Sequence, residues 1–366
     1  LAYSVSQIIE ALGRFVIGLY LANLLLGRGV EYAAAGGTIG TTAGSLLGCI
    51  SLIIYYFYIR IDIATHKDEF MAYEYIESTK SILGRLLRPL IPVSIAALAV
   101  SIMPLIDSLL VKNSLFATGI LERESTILFG NLGAATTLIS FPLTISYAVS
   151  ITIIPTISNA TAKGDHANRI NIISDALKIT FYLMIPAAIG LFILSSQIMQ
   201  AIFPNIENAL WILRFSSITL IVISVNQIVV ATLQGLGLFM KPVKNIFIGA
   251  FIKIIISYTL MRIPEINILG AIIGTFVGYC VTTYRSSKSL VIENVLKVSH
   301  FKHIIKPLIA SIFMGIYLYV LPFIANISLV STIVSAFIIY IVVMNITGAI
   351  DIKKITNYIL KKVEDL

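Results

Sequence analysis

Long apolar runs broken by short polar stretches recur along the whole chain, each about 20 residues, the length that carries an α-helix across ~30 Å of hydrocarbon. About ten such runs are predicted: Ile8 to Leu26, Ala33 to Tyr58, Pro89 to Val111, Leu128 to Ile154, Ala176 to Ile198, Ala209 to Leu233, Val243 to Ile263, Ile266 to Tyr284, Ile304 to Ile324 and Ser328 to Ile350. Backbone amides in lipid need partners within their own segment, and these runs are far longer than barrel strands, so each is expected to be helical. The expected fold class is all-α, a polytopic membrane helical bundle.

Two hairpins in this pattern match. Gln7 to Cys49 carries Arg14 in an apolar stretch, then Gly36-x-x-x-Gly40-Thr41-x-x-Gly44; Val243 to Tyr284 carries Lys253, then Gly270-x-x-x-Gly274-Thr275-x-x-Gly278. Glycines at this spacing let helix backbones approach closely in lipid. The match therefore joins a cation on one helix to a packing face on the next, and reads as an internal duplication.

Composition agrees with the pattern. Hydrophobic residues make up 58% and charged residues 12%, where soluble domains carry about 25% charge. Lys and Arg cluster in alternate connections: Arg60, Lys67, Lys80, Arg85 and Arg88; Lys163, Arg169 and Lys178; Lys241 and Lys244; Arg285, Lys288, Lys297, Lys302 and Lys306; and a tail with Lys353, Lys354, Lys361 and Lys362. The intervening connections hold Arg28, Lys112, Arg123 and Arg262. Cationic loops favour the cytoplasm, so both termini are expected there. The net charge of +8 is then topology and contact with anionic membrane lipids, not nucleic-acid binding.

Both hairpins leave from the same side, as a parallel duplication requires. Runs between Pro89 and Leu233 precede the second copy within its half. Equivalent halves would place four more helices before Leu1, so the chain is expected to be the C-terminal part of a longer, two-lobed transporter. The expected units are 1–61, the last two helices of an N-terminal lobe; 62–87, a cytoplasmic linker; 88–285, a six-helix C-terminal lobe; and 286–366, two additional helices and a basic tail.

Pro155-Thr156-Ile157-Ser158-Asn159-Ala160-x-x-Lys163-Gly164-Asp165 follows a span, and Leu233-Gln234-Gly235-x-Gly237 precedes Pro242. With Leu128-Phe129-Gly130, Pro186 and Glu31-Tyr32-Ala33-Ala34-Ala35-Gly36, this order resembles the stage V sporulation protein B group of polysaccharide transporters. That group belongs to the multidrug, oligosaccharidyl-lipid and polysaccharide exporter superfamily. The resemblance implies a 12+2 helix architecture and flipping of a lipid-linked oligosaccharide or a peptidoglycan or polysaccharide precursor. It further implies a lipid-linked sugar substrate and cell-wall synthesis proteins as partners.

Hydrocarbon rejects charge, at about 2.5 to 3.5 kcal/mol for a Lys or Arg at a helix centre, so intramembrane polar residues carry the site candidates. Lys253 lies deepest; it is either a cationic contact for a phosphate in a cavity or the structural partner of a carboxylate or carbonyl. Arg14 has Glu10 one turn away for an intrahelical pair, while its place in the repeat keeps a ligand role open. Asp107 is a candidate for a coupling proton or cation, or a partner for Lys112 near the helix end. Asn131 and Gln227 complete the cavity candidates; like Asn226 and Gln234 they can also hydrogen-bond between helices. Arg214 beside Trp211 reads as an interfacial anchor. Pro104, Pro142 and Pro186 fall within spans and mark kinks.

Catalytic and cofactor chemistry find little support. His66, His166, His300 and His303 fall in connections without the carboxylate that would complete a zinc set, and Cys49 and Cys280 read as packing residues. The expectation is a transporter with no metal, cofactor or catalytic residue. Two rivals are weighed: a multidrug or cation antiporter of the same superfamily, centred on Asp107, and a membrane enzyme of polysaccharide synthesis. Asp62, Asp68, Glu69, Glu74 and Glu77, the acidic residues such an enzyme would need, lie mixed with Lys67 and Lys80 as in a solvated linker.

Overall fold

The computed structural model describes residues 2–65, 78, 81, 83–84, 94–95, 98–99, 101–203, 210–295, 303–324 and 328–349. Among them the regular elements are helices: α1 Ala2–Leu26, α2 Val30–Thr65, α3 Ile102–Ala117, α4 Glu122–Ala162, α5 His166–Ile193, α6 Ser195–Ile202, α7 Leu210–Gly235, α8 Met240–Met261, α9 Leu269–Ile292, α10 Ile305–Ile324 and α11 Leu329–Ile346. Eight are long and apolar enough to cross a membrane. The chain divides into two compact units, Leu1–Leu83 and Gly84–Leu366.

Two of the expected spans are not among those eight. In the Pro89–Val111 run, Ser94, Ile95, Leu98 and Ala99 are helical, and the continuous described helix is α3, only 16 residues long. It starts after a turn at Ser101, whose N–H donates to the Leu98 carbonyl at 3.0 Å. Pro104 sits in the first turn of α3. A missing N–H is tolerated at that position. The Ile266–Tyr284 run is α9, which continues to Ile292; the polar residues Thr282, Thr283, Arg285, Ser286, Ser287 and Lys288 fill its second half.

Other boundaries move because apolarity marks the hydrocarbon and not the ends of a helix. α4 runs 41 residues, through Pro142 and Pro155, with the Pro155–Lys163 stretch forming its last turns. The run expected from Ala176 to Ile198 divides: α5 begins at His166 and ends at Ile193, and Ser195 opens the separate α6. In the expected 62–87 linker, Asp62–Thr65 still belong to α2. His66, His300, Asp68, Glu69, Glu74, Glu77 and the 350–366 tail lie outside the described residues.

Local sequence explains the sharpest junction. Gly164 takes φ +68, and the Asp165 N–H returns to the Ala160 carbonyl at 3.0 Å, a Schellman end for α4. The Asp165 carboxylate then accepts the Asn168 N–H at 3.0 Å and caps α5. One tripeptide, Lys163-Gly164-Asp165, closes a helix and opens the next. Gly237 ends α7 likewise at φ +78, with the Leu238 N–H on the Leu233 carbonyl at 2.9 Å. Gly164→Ala and Gly237→Ala are each expected to cost about 1 kcal/mol, because an L side chain is strained at positive φ. Thermal unfolding of the purified full-length protein in detergent measures this.

Packing in the second unit is organised around α7, whose buried Ile212, Leu213, Leu220, Ile228, Val229 and Leu233 meet α4, α5 and α9. Gly235 brings α7 against α4, where a Cβ would come within 2.9 Å of the Ile154 carbonyl oxygen. Leu194, Ala310, Met314, Leu318, Ala336, Tyr340 and Met344 form a separate cluster that seats α10 and α11 on α5. The first unit is the α1–α2 hairpin, closed along its glycine face.

Candidate functional site

The site grows from the second hairpin. Lys253, in the interior of α8, is fully buried. Its Nζ donates to the Met103 carbonyl at 2.7 Å and to Asp107 Oδ2 at 2.8 Å, both on the first turns of α3. A buried ammonium with a carboxylate and a carbonyl is compensated in the way lipid demands. Met103, Ile106 and Ala250 pack around the pair with Tyr279 at their edge. The other oxygen, Asp107 Oδ1, is buried without a hydrogen-bond partner among the described residues. In this conformation Lys253 presents no surface to a cavity: it occupies the paired arrangement, one of the two readings its sequence context left open.

The expected Asp107–Lys112 pair does not form. Lys112 reaches across the α3–α4 turn to Glu122 at 3.2 Å, which leaves Asp107 to Lys253. Two segments far apart in sequence, α3 and α8, thus meet at one charge pair.

Glycines make the approach. A Cβ at Gly278 would meet Lys253 Cβ at 3.0 Å and the Gly249 carbonyl oxygen at 2.9 Å, and one at Gly274 would meet the Lys253 carbonyl oxygen at 3.1 Å. The first hairpin repeats this register. A Cβ at Gly44 would meet Arg14 Cβ at 2.9 Å and the Glu10 carbonyl oxygen at 2.7 Å, and one at Gly40 the Arg14 carbonyl oxygen at 3.2 Å. Gly36 faces Leu21 and Ala22 as Gly270 faces Leu260 and Met261. Arg14 therefore stands in its hairpin where Lys253 stands in the other.

Their partners differ. Arg14 pairs with Glu10 on its own helix at 2.6 Å, and its side chain stays 52% exposed. Ser45 of α2 also donates to that carboxylate, at 3.1 Å. The position equivalent to Glu10 in the second hairpin is Gly249, so the carboxylate for Lys253 comes from α3 instead. Two cations at one repeat position thus have different exposure and different partners.

The remaining candidates do not join this cluster in any hydrogen bond. Asn131 is buried on α4. Gln227 Oε1 and Asn226 Oδ1 on α7 are buried without partners among the described residues. Arg214, exposed, stacks on Phe192 at 5.6 Å and donates to its carbonyl, tying α7 to α5. His166 contacts Arg169 and His303 contacts Ser174, and among the described residues no group of His, Cys, Asp and Glu could hold a metal. Cys49 and Cys280 are free. Sequence reasoning missed the polar tie Asn245–Ser286–Arg285, with Asn245 Nδ2 on Ser286 Oγ at 3.1 Å and Arg285 Nε on Asn245 Oδ1 at 3.3 Å. The signal was available: Asn245 precedes Lys253 by two helical turns and shares its face.

This is a multi-pass helical membrane protein in which two hairpins share one glycine register and one of them holds a buried charge pair. The chain belongs to the lipid II flippase MurJ family, whose model matches residues 2–343. It is 23% identical over 305 residues to the stage V sporulation protein B of Bacillus subtilis (strain 168), covering 81% of this chain and 57% of that protein. The uncharacterized membrane protein YabM of the same organism is 24% identical over 278 residues, covering 75% and 51%. The lipid II flippase MurJ of that organism is 26% identical over 148 residues, covering 39% and 26%. The chain spans about half the length of the first two relatives. A solved structure of a lipid II flippase MurJ in an inward closed conformation superposes with a TM-score of 0.62 at 17% identity, over 94% of this chain and 67% of that one. That likeness shows the fold.

Proposed function

We propose that the full-length protein flips a lipid-linked oligosaccharide, or a peptidoglycan or polysaccharide precursor, across a bacterial cytoplasmic or spore-forming membrane by alternating access. One observation carries the reading: the match to a lipid II flippase family runs over residues 2–343 and takes in both hairpins. The cationic connections support both termini of the chain being cytoplasmic. Residues 1–61 then serve as the end of an N-terminal lobe, 62–87 as a linker, 88–285 as a C-terminal lobe and 286–366 as an appended pair with a tail. Movement of substrate without covalent chemistry needs no catalytic residue.

The two repeat cations divide the work in this reading. Arg14, half exposed, keeps N–H groups that can meet the diphosphate of a lipid-linked sugar by charge-assisted hydrogen bonds. Lys253 acts through Asp107, holding α3 against α8 and α9. The antiporter alternative needs a carboxylate open to a coupling ion; Asp107 already holds an ammonium at 2.8 Å, which favours the flippase.

The test reconstitutes full-length protein in vesicles and follows a fluorescent lipid-linked sugar from one leaflet to the other without ATP. Wild type is expected to equilibrate the leaflets, and Arg14→Gln at equal reconstitution to slow this about tenfold, the worth of ~1.4 kcal/mol. Wild-type vesicles no faster than empty ones would refute the function; an unaffected Arg14→Gln would remove Arg14 from it.

A further inference from the structure

In the second unit, α5, α10 and α11 meet at a rim that collects two lysines. The Tyr340 hydroxyl donates to the Tyr182 carbonyl at 2.7 Å, and the Tyr182 hydroxyl to the Ala349 carbonyl at 3.4 Å. Residue 182 of α5 is therefore level with the turn that follows α11, and Lys178, one helical turn earlier, lies at the rim despite its central place in α5. Its Nζ sits 5.6 Å from the centre of the Tyr182 ring. From the first turn of α10, Lys306 donates to the Gly348 carbonyl at 3.0 Å. The Lys306 ammonium thus borders a short turn in which Gly348 takes φ +63, and the Lys178 ammonium lies against the tyrosine whose hydroxyl reaches the same turn.

Neither lysine forms an ion pair with a carboxylate among the described residues, whereas Lys112 and Lys241 pair with Glu122 and Glu293. An ammonium has three donors, and the contacts above leave most of them free. Exposed aliphatic side chains adjoin the lysines: Ile179 beside Lys178, Ile305 and Ile309 around Lys306, and Ile346 before the turn. Two unpaired cations, a tyrosine and a greasy skirt at one level match the chemistry of a phospholipid, phosphate above and acyl chains below.

We propose that this rim is a binding site for an anionic phospholipid, its phosphate between Lys178 and Lys306 and its chains along Ile179, Ile305, Ile309 and Ile346. The site does not depend on the transport reading. It would anchor the appended helices α10 and α11 to lipid on the face they share with α5.

Full-length protein is reconstituted in bilayers of equal phosphatidylglycerol and phosphatidylcholine, extracted in mild detergent, and its retained lipid quantified. Wild type is expected to retain phosphatidylglycerol over phosphatidylcholine, and Lys178→Gln/Lys306→Gln to lower that enrichment about fivefold. Lys178→Arg/Lys306→Arg keeps it, as does the control Lys112→Gln/Lys241→Gln. Excess inorganic phosphate leaves it in place, because the chains contribute. Unchanged enrichment in the glutamine variant, equal loss in the control, or displacement by inorganic phosphate would each overturn the site. Should the double variant not fold, Lys306→Gln, which frees one exposed carbonyl to solvent, carries the same comparison.

Discussion

Lys253→Ala is expected to destabilise the full-length protein by about 3 to 5 kcal/mol, the cost of leaving one member of a buried pair without its partner. Asp107 supplies the reason. Its Oδ2 holds the ammonium at 2.8 Å and its Oδ1 is already buried without a partner among the described residues, so removing Lys253 strands the carboxylate. Asp107→Ala is expected to cost as much, because Lys253 then keeps only the Met103 carbonyl. Lys253→Met/Asp107→Leu, which removes both charges and keeps the volume, is expected to lie within about 1 kcal/mol of wild type or above it. Denaturant unfolding in detergent distinguishes these outcomes. Additive losses would mean that the two residues are not coupled.

The second large effect falls on the glycine faces. Gly44→Val and Gly278→Val are each expected to cost about 3 kcal/mol, since the new side chain meets backbone and Cβ atoms of the partner helix that cannot swing away. The parallel matters as much as the size: Gly44 abuts Arg14 as Gly278 abuts Lys253, so the two should respond alike. Gly37 provides the contrast on the same helix as Gly44. A Cβ there meets nothing within 4 Å, and Gly37→Ala is expected to be neutral or to stabilise α2 by about 1 kcal/mol. Thermal unfolding of the three variants makes the comparison. A Gly278→Val protein as stable as wild type would contradict the close approach.

Sequence carried the hairpins further than the ion pair. Small residues four apart encode contact directly, so the register of Gly36, Gly40 and Gly44 against Gly270, Gly274 and Gly278 was legible before any coordinates. Lys253 was legible as a buried cation needing a partner. Which partner was not, because Asp107 is remote in sequence and Lys112, only five positions from Asp107, competes for it on paper. That competition is settled by Glu122, across a turn whose geometry no periodicity describes. Helix ends show the same division. Gly164 and Asp165 end α4 and cap α5 at His166, whereas hydropathy placed the start ten residues later. The break at Leu194 has neither Gly nor Pro to mark it and lies within an apolar run.

Arg14 and Lys253 also warn against transferring a role across a repeat. They share a register, yet one keeps half its side chain exposed beside Glu10 and the other is sealed against α3. Gly249 explains the difference: where the first hairpin carries its own carboxylate, the second has only a hydrogen, and the gap is closed from another helix.

Whether Lys253 serves transport by holding α3 or by touching substrate is decided by the leaflet-exchange rate of a lipid-linked sugar in vesicles containing Lys253→Met, Asp107→Leu or both, with full-length protein at equal reconstitution. The account predicts that each single variant is slowed and that the double variant recovers most of the wild-type rate. A double variant as slow as Lys253→Met, beside an Asp107→Leu that flips normally, would contradict it and put the ammonium on the substrate.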